Sequence, residues 1–200
     1  MGNIHLVTGY AGKDHIIAED QGAMNSNIFG NGQFVFDKGN KLAALAVSNN
    51  LVRISDGQIY MQGRFIRLNA NDHIDLTIEN GNQDFQRIDL IVARYTKDSE
   101  FAVEDCNLVV LKGTPATSNP ADPEYITGDV LNGYAIQHDM PLYRVKLDGL
   151  AIAAVERVFE YGTLVDATLS KEGRAADAKT VGDALGAIAE ALDTINGEVI

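Results

Sequence analysis

A chain of 200 residues, 46% hydrophobic and 22% charged, can bury one core of good size, alone or with an appendage. Its single cysteine, Cys106, excludes an intrachain disulfide framework. A net charge of −12 repels a phosphate backbone, and scattered Lys and Arg form no patch to override it, so no nucleic-acid partner is expected.

The opening stretch, "MGNIHLVTGYAGKDH", lacks the basic start and apolar run of a secretory signal. No apolar run approaches membrane-spanning length, so neither membrane insertion nor lipidation is expected. "TGYAGKDH" resembles a phosphate loop only superficially. Gly9 and Gly12 have two residues between them rather than four, and Asp14 follows Lys13 where Ser or Thr is needed. Residues 1–32 form an N-terminal arm. One short helix is predicted there, from about Ala18 to Asn27, ended by glycines.

From residue 33 to 163 the texture is that of a β domain. "QFVFD", "KLAALAVS", "LVRIS", "QIYMQ", "RFIRL", "IDLTIE", "RIDLIVARYT", "CNLVVLKG" and "PLYRVKL" are short runs rich in β-branched and aromatic residues. Turn signals separate them: "SDGQ", "NAND", "NGNQ", "TKDSE", Asn132-Gly133 and Asp148-Gly149. Asp56-Gly57 has the composition of a type I′ hairpin turn. Ile74, Leu76 and Ile78 alternate with polar residues, which predicts one buried and one wet face. The continuous "LIVA" predicts a strand covered on both faces. "GRFIRL" reads as a strand with two exposed arginines, and Cys106 as a small, mostly buried strand residue. Many short strands predict a mainly β fold, an antiparallel sandwich or a barrel-like domain.

Residues 113–133 break the strand pattern and hold three of the four prolines. This is a long surface loop of the kind that often carries function. Tyr125 and Tyr134, in or beside it, are the candidate ligand contacts. A sugar platform usually exposes aromatic rings, and the chain has no Trp. The favoured reading of both tyrosines is that they anchor the loop by packing.

No enzyme signature appears. His5, His15, His73 and His138 lack the spacing of a ligand set, so no metal or other cofactor is expected. His73 and Asp75 share a strand face as surface polars, and His138 with Asp139 reads as a solvated turn. Gly-x-Ser-x-Gly is absent.

The linker and helix of residues 164–200 are rich in Ala and free of aromatic residues. A heptad assignment places Ala178, Leu185, Leu192 and Val199 at a, and Val181, Ile188 and Ile195 at d. Leu at a with Ile at d favours three- or four-stranded over two-stranded coils. The repeat lasts about three heptads, the usual minimum for a coiled coil. Gly182 and Gly186 each weaken the helix by about 1 kcal/mol relative to Ala. Such a helix needs cover, from its own domain or from copies of itself.

Several strings resemble a known family. "SNNLVRISDGQIYMQGRFIRL", "DLTIENGNQDFQRIDLIVARYTKD", "LVVLKGTP" and "DMPLYRVKLDGL" are similar to the β domain of tail and baseplate proteins encoded by phages and prophages of Gram-positive bacteria. "TLSKEGRAADAKTVGDAL" is similar to a segment of phage tail-fibre and receptor-binding proteins that joins a globular module to a helical, usually trimeric, stalk. The resemblance runs from about Gly12 to Leu185 and brings no catalytic residues with it. It implies a non-enzymatic virion component of tail tip, baseplate or fibre, assembled in the cytoplasm of the bacterial host. Its partners would be itself, as a homotrimer with Ala178, Val181, Leu185, Ile188, Leu192, Ile195 and Val199 at the interface, and other tail or baseplate proteins. Host recognition would lie on or next to it. The alternative is a stand-alone carbohydrate-binding module for host cell-wall glycans.

Overall fold

A computed structural model describes residues 16–162, 165–166, 175–176 and 178–197. The chain divides into two compact units, Met1–Gly162 and Thr163–Ile200. The first is mainly β and the second holds the C-terminal helix.

The first element among the described residues is helix α1 (Ala18–Phe29), two residues longer than the sequence predicts. Glu19 and Asp20 in its first turn suit the positive end of the helix dipole. It stops where Gly30, at φ 81, donates its N–H to the Ser26 carbonyl. Strands β1 (Gln33–Phe36), β2 (Ala44–Ser48), β3 (Leu51–Met61) and β4 (Arg64–Thr77) follow. β5 (Gln86–Lys97), β6 (Glu104–Leu111), β7 (Gln137–Asp148), β8 (Ala151–Arg157) and β9 (Tyr161–Gly162) complete the unit.

Two sheets form, and neither closes into a barrel. In the first, β3 is the spine. One of its edges is shared by β2, which pairs Ala44 with Ile54, and β1, which pairs Gln33 with Met61. Its other edge carries β4 along its length, and β9 lies parallel to β1. The second sheet is antiparallel throughout, in the order β6-β5-β7-β8. One core joins them: Val52, Ile54, Ile59 and Met61 of β3 belong to the same buried cluster as Ile91, Tyr95, Met140 and Val145. Leu90, Ile91, Val92 and Ala93 are all buried, as the continuous apolar run predicts.

Asp56-Gly57 is not a hairpin turn. It lies inside β3, and "NAND" lies opposite it inside β4, where the register slips around a bulge. The Asp56 side chain supplies the reason. Only 4% exposed, it accepts the backbone N–H of Asn40 on one oxygen (2.8 Å) and that of Asn71 on the other (2.7 Å). These two backbone bonds, with burial opposing them, hold its carboxyl below the usual range. Asn71 takes the positive φ of 64 that the bulge needs. The β3–β4 hairpin instead turns at Gln62-Gly63, where φ of 44 and 89 match the I′ requirement. The predicted turn at Asp148-Gly149 does join β7 to β8.

"GRFIRL" needs a second correction. Arg67 is exposed, but the Arg64 side chain is 11% exposed and binds Glu104 through two bonds of 2.7 Å. Cys106 sits half-buried on β6, and burial pushes its thiol up to about 12.

In the second unit, β10 (Val165–Asp166) and β11 (Ala175–Ala176) pair in parallel, and helix α2 spans Ala178–Gly197.

Candidate interaction surfaces

Residues 113–136 cross from β6 to β7 without regular structure, yet the path is fixed at both ends. At the entry, Asp89 is buried and binds Arg87 through two bonds of 2.8 Å. Its Oδ1 also accepts the Gly113 N–H at 2.9 Å. A side chain at position 113 would stand 2.0 Å from the Ile88 carbonyl oxygen, so glycine is required there. Further on, Ala116 and Gln86 exchange backbone bonds, and Arg144 grips Asp122 through its Nε and Nη2.

The exit is built on His138 and Asp139, both buried and both on β7. This overturns the solvated turn expected at "QHDM". The Gly128 N–H donates to His138 Nδ1 at 3.0 Å, so Nε2 carries the proton toward Gln33 Oε1 at 2.7 Å. Burial pushes the imidazole below its ordinary value and keeps it neutral. Asp139 accepts two bonds from Arg94, at 2.7 and 2.9 Å, and the Ile126 N–H at 3.1 Å. Burial acts to raise its carboxyl, but Arg94 and Ile126 outweigh it and hold the group below the usual carboxylate range. Gln62, at the β3–β4 turn, donates to the Gly128 carbonyl and accepts from Val130 N–H.

The loop therefore presents its tyrosines from a bonded frame, each among different neighbours. Tyr125 is 45% exposed and lies within electrostatic reach of Arg144, over the strands of the second sheet. Tyr134 is 82% exposed in the turn that closes on Asp129, past the strand ends. Just before Tyr125 in the chain, an open groove of about 530 Å³ separates the end of β6 from the loop; Lys112, Asp122 and Glu124 give it polar walls, and Tyr125 is not among its lining residues.

Four of the seam residues are bare. Leu185, Ile188, Leu192 and Ile195 of α2 are each more than half exposed, and Val181 is partly exposed. Ala178 opens the helix, and its side chain, like Val199, lies outside the described residues. Among the described residues no cluster of His, Cys, Asp and Glu is placed to hold a metal, and no helix is long and apolar enough to cross a membrane. His73 and Asp75 share an exposed face at 4.0 Å, as the alternation predicts.

Sequence reasoning missed His138, Asp139, Arg94 and Gln62. Pro141 disguised the signal by suggesting that the strand began there. Alternation continued two steps back, through Met140 to His138, marks it as strand residue rather than turn. No protein-family model matches the chain, and no curated protein is significantly similar to it.

Proposed function

We propose that this chain is a non-enzymatic structural component of a phage or prophage-derived tail tip, baseplate or fibre, located in the virion. In this reading α2 brings three copies together and the β domain docks to other tail proteins or presents the host-recognition apparatus. One observation carries the assembly half of the reading: Leu185, Ile188, Leu192 and Ile195 stand exposed along one heptad stripe. Covering each would contribute about 1–2 kcal/mol, enough to offset Gly182 and Gly186 once chains associate. Leu and Ile alternate in the order that favours more than two strands, and a cyclic trimer is closed. The family-like strings supply the phage context. The test is the absolute mass of the protein in solution. Three chains per particle are expected; a single chain at all concentrations would contradict the reading.

A second reading is supported by the open groove between the end of β6 and the loop, lined by Lys112, Asp122 and Glu124. Its polar walls, with the exposed ring of Tyr125 next in sequence to the lining residue Glu124, suit a saccharide of the host cell wall. Cell-wall pull-down by the full chain, weakened by Tyr125→Ala, is the result this reading expects. Equal retention of the variant, or no retention of either protein, would remove it.

A further inference from the structure

The end of the β domain that carries α1 also carries a concentration of exposed apolar side chains. Backbone bonds place them together. Lys97, the last residue of β5, donates its N–H to the Ile136 carbonyl, and Asp98 donates to Val103 across the β5–β6 turn. Lys97 Nζ reaches Glu19 of α1 at 3.2 Å, and Gly133 lies against both side chains. Around this junction Phe101 is 72% exposed, Val103 63%, Tyr134 82%, Ile136 68% and Ile17 57%. The loop that carries Tyr134 and Ile136 is bonded to the domain at Ile126, Gly128 and Val130 through Asp139, His138 and Gln62, and the Asp98 carboxylate accepts the N–H of Phe101. Exposed apolar residues gathered on a bonded frame mark an interaction site.

The charge around the patch selects the occupant. Lys97 is paired with Glu19 and Arg64 with Glu104. Asp20, Asp98, Glu100 and Asp129 rim the same end, and among the described residues none has a basic partner. A second copy of this acidic chain would set like charges against like, and α2 itself carries Asp183, Glu190 and Asp193. We infer that this end docks a different protein, through a surface with an apolar centre and a rim of Lys or Arg. The inference rests on the proposed structural role and names the docking face and the chemistry of its partner.

The test uses the full chain and a fluorophore-labelled amphipathic peptide with Leu on one face and Lys on the other. The same peptide with Glu in place of Lys is the control. By fluorescence anisotropy the Lys peptide binds, binding weakens with added salt, and the Glu peptide does not bind. The double variant Phe101→Ser/Ile136→Ser binds about tenfold more weakly. Leu185→Ser/Ile188→Ser binds as the wild type does. All four positions are exposed, so unfolding curves of each first unit should superimpose. Equal binding of both peptides, no binding, or loss only in the α2 variant would overturn the assignment. So would a change in oligomeric mass caused by the Phe101/Ile136 variant, which would make a second copy the occupant. A monomeric α2 variant that still binds the peptide leaves the docking face standing, so the two proposals fail separately.

Discussion

His138 and Asp139 are neighbours in sequence, point to different partners, and carry opposite electrostatic demands. Asp139 must stay charged to hold Arg94 and the Ile126 N–H, whereas His138 must stay neutral to accept from Gly128. The His138 pKa is lowered on folding by burial, against the pull of the adjacent Asp139. Its contribution to stability is therefore complete above the unfolded value of about 6.5 and is lost as pH falls through the lower folded value. Denaturant midpoints should drop more steeply in the wild type than in His138→Gln between about pH 7 and 5. The amide keeps a donor and an acceptor but cannot titrate, so equal slopes would contradict this role for the imidazole. Asp56 shows the same gap between residue type and use. "DG" is turn chemistry in most contexts, and nothing local in the sequence says that a bulge in β4 and the turn at Asn40 will both bring N–H groups to one carboxylate. Long-range partners decided both positions, which is why local patterning misread them.

At the level of elements, strand identity was legible wherever periodicity was unbroken. "LIVA" marked the central strand β5, and Ile74 and Leu76 marked the half-buried end of β4, with Ile78 buried just past it. Strand length was not legible, because a buried Asp and a bulge imitate turns. The docking of α1 was also hidden, since it depends on two glycines far apart in sequence. Gly22 is the helix residue that is buried, and it faces Gly63. Asn25 adds a 2.8 Å bond to the Gly63 carbonyl, and Phe29 joins the rings of Phe34, Phe36 and Tyr60. A Cβ at position 63 would stand 2.7 Å from the Gly22 carbonyl oxygen, at a φ of 89 that an L side chain resists. Gly63→Ala should cost roughly 1–2 kcal/mol from its conformation alone. It should also speed chymotryptic cleavage at Phe29 as α1 lifts from the domain. An unchanged denaturant midpoint together with an unchanged cleavage rate would contradict this account of how the helix is held.

For the molecule as a whole, the sequence made a mainly β unit and a C-terminal helix legible, and both are present. The heptad was equally legible, but its partner was not, because a stripe of Leu and Ile suits any apolar surface. Exposure of Leu185, Ile188, Leu192 and Ile195 is what turns the stripe into a claim about association. The measurement that tests it most directly is light scattering after size exclusion, on the full chain and on a chain ended at Val165. The account predicts three chains per particle for the first and one for the second. A full chain that elutes as a single copy, or a truncated chain that keeps the trimer, would contradict it.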